Sequence, residues 1–168
     1  MIRIALAALL AVFAAPASAT ELFEAAGNWQ GEGMIATGPR APLERGRCRV
    51  EIAPAAGGGD VSITGSCAVA AGLSDISLRL VRGAGGKVNA GFWSAATAQT
   101  VQFAGTETDG AIVMEATGAL VLDEVPYQSR VEVETGGAEG FTLRQMLRAE
   151  GEDAWRLVVD MAYRQAGG

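Results

Sequence analysis

Residues 45–70 read RGRCRVEIAPAAGGGDVSITGSCAVA and carry both cysteines of the chain. Two alternating runs flank the turn Ala55-Ala56-Gly57-Gly58-Gly59-Asp60. Read as strands over Gly46–Pro54 and Val61–Ala70, they pair antiparallel about a centre between Gly57 and Gly58. That centre sets Cys48 opposite Cys67, Val50 opposite Gly65, Ile52 opposite Ile63 and Pro54 opposite Val61. Every one of these is apolar or glycine, while Arg47, Arg49, Glu51, Ser62, Thr64 and Ser66 face the other way. Side chains alternate with period two, so a slip of one residue would expose the apolar set and part the cysteines. A single register thus predicts a half-buried hairpin closed by a Cys48–Cys67 disulfide.

A disulfide needs an oxidising compartment, and the start of the chain points to one. Met1-Ile2-Arg3 precedes an apolar run from Ile4 to Ala15 and then Ala17-Ser18-Ala19. A basic start, a short apolar core and an A-x-A site describe a secretory signal peptide over 1–19, cleaved near Ala19. The mature chain then starts near Thr20, and residues 20–168 make one domain. The apolar run is too short to span a membrane as a helix. The residue directly after the cleavage site is Thr20 rather than cysteine, so a lipid anchor is not expected. The Ala-rich, Arg-over-Lys composition points to a high-GC Gram-negative bacterium, so the chain is expected to be periplasmic or secreted. Net charge is −6, and more negative once Arg3 leaves with the leader. An acidic chain repels nucleic acid and anionic lipid, which argues against both as partners.

Outside the hairpin the chain reads as further short strands. Glu21–Ala26 is expected to form a turn or two of helix, then Gly27–Ile35 alternates as the first strand. Ser74–Arg82 and Lys87–Ser94 follow, with Ile76, Leu78, Leu80, Val88, Ala90 and Phe92 in phase. Gln99–Thr106 turns at Asp109-Gly110, a strong two-residue hairpin signal, into Ala111–Val121, where Gly118 marks a bulge. Tyr127–Thr135, Gly140–Ala149 and Ala154–Arg164 complete the set, the last with Trp155, Leu157, Val159, Met161 and Tyr163 inward. About ten strands joined by short turns predict an all-β, up-and-down antiparallel barrel. A β-sandwich is the alternative, because strand count alone does not separate the two.

The opening Gly27-Asn28-Trp29, followed by Gly31 and Gly33, resembles the G-x-W start of calycin-like barrels, among them lipocalins, avidins, fatty-acid-binding proteins and nitrobindin-like proteins. The closer likeness is to exported bacterial lipocalin-like proteins of unknown function. These are similar in the G-x-W-x-G-x-G opening and in a Trp…Tyr-Arg last strand, here Trp155 to Tyr163-Arg164. The resemblance implies that Trp29 closes one barrel end and stacks under an arginine from the last strand, Arg164 or else Arg156.

The residues exclude much chemistry. The chain has no histidine, so imidazole triads, the common zinc sites and a histidine-ligated haem are ruled out. Paired cysteines are not nucleophiles. Glu150, Glu152 and Asp153 share a turn that reads as a solvated hairpin tip, with weak calcium binding as the alternative. No catalytic residue, metal or cofactor is expected, and the chain is not expected to be an enzyme.

A barrel of this size has room for one small ligand or for its own side chains. Small inward residues (Gly65, Ala90, Ala116, Gly118) leave space between Phe92, Phe103, Met114, Phe141, Leu143 and Tyr163. Ser129 and Gln145 break this apolar set, and each needs an internal partner or a ligand atom. The functional expectation is a barrel that binds a small apolar ligand through these eight residues. The alternative is a surface-acting protein-binding or inhibitor module with a filled core, exposing Trp93 or the N-terminal segment. Arg40, Arg45, Arg47 and Arg49 form the one basic concentration: a solvated face, or an anion contact at the barrel mouth.

Overall fold

A computed structural model describes residues 22–137 and 140–167. The expected leader and its cleavage site lie outside them. Among the described residues there are eleven strands: β1 (Gly27–Ala36), β2 (Leu43–Pro54), β3 (Asp60–Val69), β4 (Gly72–Arg82), β5 (Lys87–Ser94), β6 (Gln99–Thr108), β7 (Ala111–Ala116), β8 (Leu120–Leu122), β9 (Val125–Gly137), β10 (Gly140–Ala149) and β11 (Arg156–Gln165). All pairings are antiparallel, and β11 returns to pair with β1, closing the wall. β7 and β8 both pair with β9, at Glu115↔Arg130 and Leu120↔Tyr127, so they are two pieces of one wall position. The result is a ten-stranded up-and-down barrel, not a sandwich.

The β2–β3 hairpin has the register its alternation predicts: Cys48↔Cys67, Val50↔Gly65, Ile52↔Ile63 and Pro54↔Val61. Cys48 and Cys67 are joined as a disulfide. Val50, Ile52, Val61 and Ile63 are buried, whereas Arg47, Arg49 and Glu51 are exposed. The Asp109-Gly110 turn has positive φ at both residues, 49° and 79°, as a two-residue hairpin of the mirror-image type requires.

Three local expectations need correction. Leu22–Glu24 forms a turn closed by Ala25 N–H on Leu22 C=O at 3.3 Å, not a helix. The expected strand Ala111–Val121 breaks over 117–119. Past the break, on β8, the Gln99 side chain takes the place of a strand neighbour, its Nε2 donating to Val121 C=O at 2.7 Å and its Oε1 accepting from Val121 N–H at 3.3 Å. On β11 the pairing shifts between Gln145↔Val159 and Met146↔Leu157, leaving Val158 as an extra residue. This bulge reverses the phase, as one inserted residue must. Val158 is buried, while Trp155 lies against Arg148 with the guanidinium carbon 4.7 Å from its ring centre.

One barrel end is sealed. Leu22, Phe23 and Ala25 are buried against the core there. The Arg82 guanidinium lies 4.2 Å over the Phe23 ring and also donates twice to the Glu107 carboxylate, at 2.6 and 2.7 Å. Next to the seal, Trp29 lies 5.4 Å from Phe141, and Phe141 stacks on Tyr163 at 4.7 Å. Gly31 makes that stack possible, because a Cβ there would come within 2.6 Å of the Tyr163 ring.

The disulfide joins chain positions 19 apart. Replacing both cysteines by alanine is expected to lower unfolding free energy by about 3 kcal/mol without changing the strand content. Urea unfolding followed by circular dichroism measures it, and an unchanged midpoint would show that the hairpin register stands without the bond.

Candidate functional site

The interior set expected from the sequence does come to the inner side of the wall. Phe103, Met114, Ser129, Phe141 and Tyr163 are buried, and Phe92, Leu143 and Gln145 are half-buried. Their partners, however, are largely one another. Gln145 Nε2 donates to Ser129 Oγ at 2.9 Å, so the two polar residues in the apolar lining satisfy each other. Phe141 and Tyr163 are stacked together. Burial pushes the Tyr163 phenol up to about 12, because the phenolate would lose its hydration.

Trp29 is buried as expected of a barrel-closing residue. The arginine that the resemblance placed over it is elsewhere. Tyr163 points inward, so its neighbour Arg164 is exposed on the outer face, paired opposite Gln30 and Gly140. Arg156 acts at the other end of the barrel. The sealing cation is Arg82, stacked on Phe23. The indole Nε1 of Trp29 has no hydrogen-bond partner among the described residues.

Open space lies at the end opposite the seal, where the β1–β2, β8–β9 and β10–β11 connections meet. Two adjoining depressions share Pro39, Arg40 and Tyr127. One, of about 250 Å³, is also lined by Leu147, Ala149, Glu152 and Arg156. The other, of about 390 Å³, is lined by Gly38, Ala41, Asp123 and Val125 as well. Tyr127, Leu147 and Ala149 are buried core residues that show one side to this mouth. Below them, Leu147 is the strand partner of Ser129, which puts the Ser129–Gln145 pair close under the floor.

Arg156 reaches this mouth because of the bulge at Val158. With uninterrupted alternation from Val159, Leu157 would point inward and Arg156 outward. The extra residue flips both, and Arg156 pairs opposite the inward Leu147. Its Nη2 donates to the carbonyls of Arg40 and Ala41, at 3.2 and 2.9 Å. The β1–β2 connection is thus tied across the mouth to β11. None of the eight residues singled out for the interior lines the two depressions. Sequence reasoning did raise an anion contact at the mouth, and of the basic group only Arg40 is there. Arg45, Arg47 and Arg49 lie on the outer face of β2, where Arg47 pairs with Glu32 at 3.4 Å.

No family model matches this chain, and no curated protein sequence matches it.

Gln145→Leu is expected to cost about 1–3 kcal/mol by stranding the Ser129 hydroxyl. Adding Ser129→Ala should recover most of that loss, since the unpaired group is then gone. Denaturant unfolding of the two variants measures both steps. Tyr163 supplies a pH signature. Its pKa is raised in the folded state above the ordinary value of 10.0, so above that pH the unfolded chain sheds a proton that the folded chain retains. Stability should therefore fall as pH rises from about 10 to about 12. Tyr163→Phe should flatten that decline in thermal melts.

Proposed function

We propose that this chain is exported to the periplasm and works there as a lipocalin-like barrel that binds a small, mainly apolar molecule. The observation that carries this reading is the asymmetry of the two ends. One is stoppered by Leu22, Phe23 and the Trp29–Phe141–Tyr163 aromatic cluster, and the other opens into two depressions, one of them floored by Tyr127, Leu147 and Ala149. Concave, largely apolar sites with a few polar groups are where small ligands bind. The ligand sits at the open end, with Phe92, Phe103, Met114, Leu143 and the Ser129–Gln145 pair as the packed body behind it.

Export is supported by the leader-like start and by the Cys48–Cys67 bond, which persists in oxidising compartments. Among the described residues no helix is long and apolar enough to cross a membrane. The outward positions of β2, Arg45, Arg47, Arg49 and Glu51, are charged and exposed, where a lipid-facing wall would carry an apolar band. A binding rather than catalytic role is supported by the lack of histidine and by cysteines held in a disulfide.

A second reading, a surface-acting protein-binding module, is favoured by Trp93. It is 38% exposed on the outer face between Ser77 and Thr100. Native mass spectrometry of protein purified from the periplasm separates the two. A co-purifying small mass, displaced by Leu147→Arg at the mouth, is the expected result. A bare chain that also takes up no apolar compound would overturn the ligand reading, and a stoichiometric protein lost on Trp93→Ala would establish the second.

A further inference from the structure

Among the described residues Arg156 and Arg40 line the mouth without carboxylate partners. The ion pairs among the described residues engage Arg47, Arg79, Arg82, Arg130 and Arg144, and none involves Arg40 or Arg156. Glu152 and Asp123 line the depressions as well, both exposed, and neither pairs with either arginine. Arg40 and Arg156 therefore both line a hollow with Tyr127, Leu147 and Ala149 beside them, and there the Arg156 guanidinium has only neutral backbone carbonyls as acceptors among the described residues. The Arg156 guanidinium is an ionised donor, and an ionised acceptor adds charge–charge attraction that a neutral carbonyl does not. An anionic group entering the mouth is thus a better acceptor for Arg156 than the carbonyls of Arg40 and Ala41.

The backbone has been deformed to put that charge there. The extra residue at Val158 turns Arg156 from the outer wall to the mouth and sends Trp155 outward onto Arg148. β-Bulges commonly re-aim a side chain next to a functional site. The apolar residues lie deeper than the charges: Tyr127, Leu147 and Ala149 are buried, and both arginines are exposed. That gradient orders a ligand with its apolar body down and its charged end up.

We infer that the mouth takes an amphipathic organic anion, its head held by Arg156 and Arg40 and its apolar body laid over Tyr127, Leu147 and Ala149. The anion meets the N–H groups of Arg156 that the carbonyls of Arg40 and Ala41 leave free. This rests on the reading of the open end as a ligand site and adds the charge of the ligand to it.

Probes that share one tail and differ in the head test it. Decanoate, 1-decanol and decyltrimethylammonium are titrated calorimetrically into the mature, disulfide-intact chain. The same titrations are made on Arg156→Gln, on Arg40→Gln and on Arg164→Gln, which alters an exposed arginine on the outer wall. Decanoate should bind tightest, and each mouth variant should weaken it about fivefold, a size suited to solvent-exposed charges. 1-Decanol should be unchanged in all variants, and Arg164→Gln should leave every probe unchanged. Decanoate and 1-decanol binding equally well, or losing affinity equally in the mouth variants, would overturn the anion assignment while leaving an apolar ligand site standing. Failure of every probe to bind the unaltered chain would overturn the site itself.

Discussion

Period-two alternation around a closed ring is the constraint on which everything else in this molecule depends. Cys48 lies opposite Cys67, and from that pair the inward or outward phase of β2 and β3 follows residue by residue. Antiparallel neighbours then inherit it: Ile63 faces Leu78, Leu80 faces Ala90, and Ala90 faces Phe103. In an open sheet an error of phase could be absorbed at an edge. In a closed wall β11 must meet β1 with the correct face inward, and Tyr163 opposite Gly31 is where the ring agrees with itself.

Closure also settles how the interior is shared between its two ends. The lower end receives the large aromatics and the N-terminal Leu22 and Phe23, and glycine at position 31 supplies the room they need. Arg82 locks that stopper electrostatically, touching both Phe23 and Glu107. Among the described residues the opposite, open end has no comparable aromatic stack. Its inward residues include Ser129 and Gln145, joined by one hydrogen bond, and Ser94, which accepts from the Ala96 N–H. The open space at that end is lined instead by Pro39, Arg40, Tyr127, Leu147 and Arg156.

Much of the wall was legible because its signals are local. The hairpin register, the Asp109-Gly110 turn and the bounds of Lys87–Ser94 and Gly140–Ala149 each depend on a few neighbouring residues. The phase of β11 was not legible. Trp155, Leu157, Val159, Met161 and Tyr163 alternate without a break, and nothing in them marks Val158 as extra; the shift arises where β11 meets β10. The break after Ala116 was half visible, since Gly118 suggested a bulge, yet the Gln99 amide that bridges it comes from 22 residues away. The mouth was the least legible part. Pro39, Tyr127, Leu147 and Arg156 belong to separate elements and form no motif along the chain.

Placing arginines at the mouth is physically cheap in a way that placing them deeper would not be. A guanidinium among Phe103, Met114 and Phe141 would be stripped of water, and the penalty for an unpaired ion there is several kcal/mol. At the rim Arg40 and Arg156 keep their hydration and need no carboxylate to make them tolerable. The bulge that delivers Arg156 leaves Val158 buried, so the core gives up no apolar side chain at that position. A strand whose alternation is interrupted at one residue, Val158, thus brings charge to the opening while the packed body beneath stays apolar. The interruption falls on the strand that carries Met161 and Tyr163 into the core, which anchors the displaced segment to buried residues.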